Sequence, residues 1–205
     1  MIITYHSHNF IKITQGSKTI AINPPGGKFA QGLSKSGTDI VLLSNHLPEN
    51  SGVDLVTYNG SEPFVVDGPG EYEVGELYIK GFLTKTEQNR DYVNTFYVIH
   101  FDDMNIAISG YIESKDCLST EAQDALSEIH VLIQTIGGRE EVNPHDAWSF
   151  AKSLEPHIII PVGGDKKDLE TFIKEGGNNF ETVEKITIKR KEAEAKSSVI
   201  MVIQA

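Results

Sequence analysis

The chain has 205 residues, 39% of them hydrophobic, enough for one domain with a large core. Its 18 Lys and Arg against 29 Asp and Glu leave a formal charge of −11, a surface that repels phosphate backbones and argues against nucleic-acid binding. No apolar run approaches the roughly 20 residues of a membrane span, the N-terminus reads as a strand rather than a secretion signal, and one cysteine, Cys117, excludes an intramolecular disulfide and fits a reducing compartment. The expectation is a cytoplasmic protein without membrane contact.

Residues 2–5, 10–14 and 19–22 read as three strands, the last two joined by a turn at residues 15–18. Pro24-Pro25-Gly26-Gly27 then stops regular structure. The continuous apolar run at residues 40–43 has the pattern of a strand covered on both faces. Further strands are expected at 55–58, 64–66, 73–82, 94–101 and 105–109, so the first half reads as all-β with short connections.

The second half changes period. Residues 120–128 predict a helix capped by Ser119 or Thr120, and 131–135 a buried strand. Asn143 and Pro144 open another helix with an apolar stripe of Ala147, Phe150, Ala151 and Leu154. A strand at 157–162 and a helix at 167–175, stopped by Gly176-Gly177, follow. Residues 185–190 and 198–203 predict a terminal hairpin whose solvated tip is the mixed charge run at 185–196. Strands, then alternating strands and helices, then strands imply an α/β fold: a four-layer αββα sandwich of two mixed sheets with helices outside, a single domain over residues 1–205.

The functional signal is concentrated in Ser44-Asn45-His46-Leu47-Pro48-Glu49-Asn50, a hydroxyl residue and polar loop directly after the buried run at 40–43. This segment resembles the metallo-β-lactamase superfamily, whose loop reads T-H-x-H-x-D-H after a buried strand. Ser44 matches the hydroxyl position, whereas the ligand positions carry Asn45, Leu47, Glu49 and Asn50, and His46 falls between the first two. The similarity extends over nearly the whole chain and points to the ascorbate-6-phosphate lactonase-like, zinc-dependent hydrolases. Ser7-His8-Asn9 stands where that subgroup has a Gly-His-Ser turn, and Ile22-Asn23-Pro24 where it has Ile-Asp-Pro. The stretch from Asp67-Gly68-Pro69-Gly70 through Glu71-Tyr72-Glu73-Val74-Gly75 is similar to its Pro-Gly-Glu-Tyr/Phe-Glu-Val-Gly segment.

The resemblance places the family's other metal ligands at Thr84 or Lys85, at Tyr111 after Gly110, and at Gly163. A zinc site needs about four convergent N, O or S donors and an open place for water. Asn, Leu and Gly do not replace imidazole. The resulting expectation is a degenerate member of the fold with no metal cofactor, although zinc is the family's, and without zinc hydrolase activity. Its vestigial cleft of Asn23, Ser44, Asn45, His46, Glu49, Asn50, Thr84, Tyr111 and Gly163 would be reused for binding a protein partner, a small ligand or a second copy.

Two other classes remain to be weighed. A metal-dependent hydrolase of a lactone or phosphorylated small molecule, with a noncanonical site around His46 and Glu49, is the alternative. A nuclease is opposed by the charge and by the missing ligands. A Ser44, His46, Glu49 triad has no oxyanion-hole motif beside it, and the remaining histidines lack metal-pair spacing.

Overall fold

Strict alternation of large apolar side chains lets each strand face two different cores. In the computed structural model, which describes residues 1–60, 62–85, 92–112, 114–126, 128–139 and 142–204, the first sheet contains β1 (Ile2–Ser7), β2 (Phe10–Gln15), β3 (Lys18–Ile22), β4 (Ile40–Leu42) and β5 (Phe64–Val66). Ile11 and Ile13, Ile20 and Ile22, Ile40 and Leu42 point inward to the central core. The residues between them, Phe10, Ala21 and Val41, form a smaller cluster outside with Leu55 and Val56. The outer cover here is thin: a 3-10 turn at Gly27–Ala30 and the one-turn helix α1 (Val53–Val56).

The second sheet is built from β6 (Gly70–Val74), β7 (Leu77–Leu83), β8 (Thr95–Phe101), β9 (Met104–Ile108), β10 (Val131–Thr135), β11 (Ile158–Val162), β12 (Phe180–Val183) and β14 (Val199–Ile203). Tyr97, Ile99, Ile106, Ile133 and Ile160 fill the space between the sheets, while Phe96, Ala107, Leu132 and Ile159 face outward onto helices. These are α2 (Thr120–Asp124), α3 (Pro144–Ser153) and α4 (Lys166–Glu175). Ser119, Asn143 and Asp165 accept the first free backbone N–H groups of their helices.

The strand orders are β13-β1-β2-β3-β4-β5 and β12-β14-β11-β10-β9-β8-β7-β6, where β13 is Ile186–Thr187. Within them β3, β4 and β5 run parallel, as do β9, β10, β11 and β14. This is the expected α/β sandwich of two mixed sheets with helices outside.

Three local expectations are corrected. The strand predicted at 55–58 is helical at Val53–Val56, because Leu55 and Val56 cover the outer face of the first sheet rather than extend it. The long strand at 73–82 is a hairpin, β6 and β7, which turns at Gly75 (φ 65°). No terminal hairpin forms. β13 crosses to β1 in the first sheet, where Ile188 and Met1 exchange backbone hydrogen bonds. The charge run then enters a helix, α5 (Arg190–Glu194), whose Ala193 is buried against the central core, and β14 returns to the second sheet. β12 had no counterpart in the sequence reading.

Candidate functional site

The strand directions bring the ends of β3, β4, β9, β10 and β11 to one edge of the sandwich, and the segments around Asn9, Asn23, Asn45–Asn50, Tyr111 and Gly163 meet there, whereas the segment at 67–75 runs along β6 to the turn at Gly75. Beyond β3, Asn23 takes a left-handed backbone (φ 49°), which Asn tolerates better than most residues. Its Oδ1 accepts from the Ser44 N–H at 2.7 Å and its Nδ2 donates to Ser44 Oγ at 3.1 Å. The two first-sheet loops are thereby tied together. Ser44 O accepts from the Thr95 N–H, and the Tyr97 hydroxyl donates to Leu43 O, so the loop is also fastened to the second sheet.

The loop itself turns on Asn45, whose Oδ1 accepts from the Leu47 N–H at 3.2 Å and from Asn50 Nδ2 at 3.1 Å. Asn50 Oδ1 in turn accepts from Asn9 Nδ2 at 3.0 Å, and the same amide donates to the Tyr111 hydroxyl at 3.1 Å. Asn9 Oδ1 lies 3.5 Å from the Thr135 hydroxyl. Asn45, Asn50, Asn9 and Tyr111 are all buried, and Asn45 Nδ2 has no hydrogen-bond partner among the described residues. A second knot holds Tyr111 from below: Asn94 Oδ1 accepts from the Tyr111 N–H, and Asn94 Nδ2 donates to Thr84 Oγ1 and Ser109 O.

Over this floor lies a lid of Leu47, Tyr92, Tyr111 and Val142. Arg139 lies over both tyrosine rings, at 5.0 and 5.8 Å, and reaches Glu49 Oε1 at 3.3 Å. Burial first, and the nearby Glu49 carboxylate second, push the Tyr111 phenol up to about 12. It is therefore neutral at physiological pH.

The predicted residues Asn23, Ser44, Asn45, Asn50, Thr84, Tyr111 and Gly163 thus meet in one region. Glu49 faces Arg139 at its rim. His46 does not join them: it is exposed and its Nε2 lies 3.1 Å from Asp67 O. Gly163 takes φ 66° and donates its N–H to His8 O. Sequence reading missed Asn9, Asn94, Tyr92 and Arg139. Asn9 carried a signal, since it stands at the serine position of the Gly-His-Ser turn.

The family's zinc does not fit this donor set. The aligned positions present carboxamides, an aliphatic side chain, a hydroxyl, a neutral phenol and a glycine, and the one carboxylate, Glu49, faces a guanidinium. The floor residues Asn9, Asn45, Asn50, Thr84, Asn94 and Tyr111 are buried. Grooves of about 550 Å³ lie elsewhere, one beside Pro25, Leu33, Pro48 and Gly52 and the other beside Ser17, Ile20, Leu77 and Phe101.

One carboxylate and histidine cluster, Glu128, His130 and Glu194, lies at the opposite edge. His130 Nδ1 accepts from the Asn105 N–H at 3.1 Å, so the proton of the neutral ring is on Nε2, which faces Glu194 Oε1 at 3.8 Å. A ring in that tautomer offers no lone pair to a metal at Nε2, and Arg190 bonds Glu194 at 2.6 Å and lies 4.0 Å from Glu128.

Comparison with known proteins decides the lineage: the profile of the beta-lactamase superfamily domain matches residues 2–163. The chain belongs to the β-lactamase superfamily. A UPF0173 metal-dependent hydrolase from Lysinibacillus sphaericus is 22% identical over 195 residues, covering 79% of this chain and 84% of that protein. Among solved structures, a metallo-β-lactamase superfamily protein from Thermotoga maritima superposes with a TM-score of 0.76 at 23% identity, covering 99% of both chains. An isothiocyanate hydrolase from Delia radicum gut bacteria gives 0.62 at 13%, covering 98% of this chain and 96% of its own. These two likenesses carry the superfamily fold alone. Residues 164–205 lie beyond the matched domain and complete both of its sheets with β12, β13 and β14.

Proposed function

We propose that this protein is a non-hydrolytic member of the β-lactamase superfamily, whose role is carried by binding a protein partner or a second copy and not by a zinc-activated water. One observation supports the reading above all: apart from Glu49, which pairs with Arg139, the polar groups at the floor are neutral and largely committed to one another, from Asn45 through Asn50 and Asn9 to Tyr111. Buried carboxamides can satisfy each other without an ion, because each offers both donors and acceptors. Among the described residues, Glu49 is the carboxylate at the rim, and its Oε1 is turned to Arg139. Small-ligand binding at the floor of the old cleft is disfavoured for the same reason, since its carboxamides are bonded to one another.

The test is elemental analysis of protein purified without chelator or affinity tag, before and after incubation with zinc, manganese and iron, together with assays of lactone and phosphate-ester hydrolysis. Less than about a tenth of an equivalent of each metal, and no hydrolysis above buffer, is the expected result. Stoichiometric metal with hydrolysis that falls in Asn45→Ala and Glu49→Ala would establish instead a metal-dependent hydrolase with a noncanonical site, in line with the description of the Lysinibacillus relative.

A further inference from the structure

Losing ligands and blocking a site are different events, and the cleft shows the second as well as the first. Gly163, aligned with the family's last histidine, has no room for any side chain: a Cβ there would lie 2.5 Å from Asn9 Oδ1. Real Cβ atoms do not approach a neighbour so closely, so Asn9 and a side chain at 163 exclude one another. Asn9 is not free to move aside. Its amide is bonded to Asn50 and Tyr111, and its carbonyl oxygen lies by Thr135.

Tyr111 is fixed as firmly. Its N–H is held by Asn94, its hydroxyl by Asn9, and its ring lies edge-on to Tyr92 at 5.9 Å and beneath Arg139. Gly110 before it takes φ 57°, and a Cβ there would fall 2.2 Å from Asn94 Oδ1 and 2.9 Å from Ser44 Cβ. The chain therefore enters Tyr111 along a path that only glycine allows. The ring fills the space where the shorter family Asp would leave a gap.

We infer that Asn9 and Tyr111 form a plug that keeps metal out of this cleft in its own right, so that restoring the ligands of the 44–50 loop and of position 84 would not restore a metal site. The inference rests on the non-metal reading above, but it can fail separately. If the natural chain is metal-free yet a ligand-restored chain takes up zinc, only the plug is wrong.

The experiment compares zinc per chain, by elemental analysis after dialysis, in three proteins whose folding is checked by circular dichroism. One carries Asn45→His, Leu47→His, Glu49→Asp and Asn50→His together with Thr84→His, the further donor that the resemblance assigns, so that three imidazoles for one zinc and an open place for water are supplied. Another carries these with Asn9→Ser and Tyr111→Ala, which remove the plug without adding a ligand. The third carries the two plug changes alone. Expected are under about a tenth of an equivalent in the first and third, and about one equivalent in the second. Stoichiometric zinc in the first, or none in a folded second, overturns the plug.

Should the multiple variants not fold, a double-mutant cycle in the natural chain decides the same point. Gly163→Ala strains the backbone equally with or without Asn9, but clashes only when Asn9 is present. Its loss of Tm should be clearly smaller in an Asn9→Gly background. Equal losses would overturn the steric block.

Discussion

At the residue scale, a carboxamide differs from a carboxylate in needing no counter-charge and from an imidazole in having no basic nitrogen lone pair for a metal, and carboxamides are what meet in this cleft. Four asparagines, Asn9, Asn45, Asn50 and Asn94, lie buried around Tyr111, and the unpaired Asn45 Nδ2 is the gap in their network. Tyr111→Phe keeps the ring and removes one acceptor from Asn9. The expected loss is about 1 to 2 kcal/mol of unfolding free energy, measured by urea unfolding; an unchanged midpoint would mean that the hydroxyl is not bonded in solution. The phenol also makes a pH prediction. Its folded value is raised to about 12 from the unfolded value of about 10, so the neutral form is favoured by folding. Its stabilising contribution is complete below about pH 10 and is lost as pH rises through about 12. Spectrophotometric titration should show the late tyrosinate fraction reduced by Tyr111→Phe.

At the scale of elements, the sequence revealed most where period and packing agree. Strands such as β4 and β10 are buried at every position, and apolar throughout in β4 and at residues 131–133 of β10, because both of their faces are covered, one by the opposite sheet and one by an outer layer. Caps at Asn143 and Ser119 placed the starts of two helices correctly, although the helix expected over 120–128 ends at Asp124. Failures came where tertiary contacts outweighed local pattern: residues 53–56 coil because the first sheet needs a cover, and 186–188 leave their hairpin because the first sheet has an open edge beside β1. The site divided in the same way. Ligand positions could be located from the loop after β4, but Asn9, Asn94 and Arg139 come from separate segments, and only the folded chain brings them together. The terminal segment also yields a pH dependence. Burial, with Arg190 and His157 adding to it against Glu128 and Glu194, holds the His130 pKa below its ordinary value. Its stabilising contribution is therefore present above about pH 6.5 and is lost as pH falls through the depressed folded value. Protonating Nδ1 would also displace the Asn105 N–H that anchors β9 beside it. His130→Gln, which keeps an acceptor there, should flatten the acid limb of a stability-pH curve; a limb of unchanged slope would assign it to other groups, such as His6, whose pKa is also lowered by burial and by Lys12.

At the scale of the whole molecule, buried polar bonds across one edge tie the two sheets together around the cleft. Thr95 to Ser44 and Tyr97 to Leu43 fasten loop to sheet, and the Asn50 to Asn9 to Tyr111 chain fastens the first sheet to the second. The large core between the sheets is continuous beneath them. If a metal bound the native state with useful affinity, mass action would make it visible in stability before any substrate was known. Free zinc at 100 times its dissociation constant adds about 2.7 kcal/mol, and for a chain of this size each kcal/mol moves Tm by roughly 2 to 4 °C. A thermal scan with excess zinc should therefore rise by at least about 5 °C for a site that binds, and chelator should lower an occupied protein by a similar amount. The neutral, filled cleft predicts neither shift: Tm should stay within about 1 °C with zinc, with manganese and with chelator, whereas a rise with zinc that disappears in Asn45→Ala would place a metal at the position these side chains now fill.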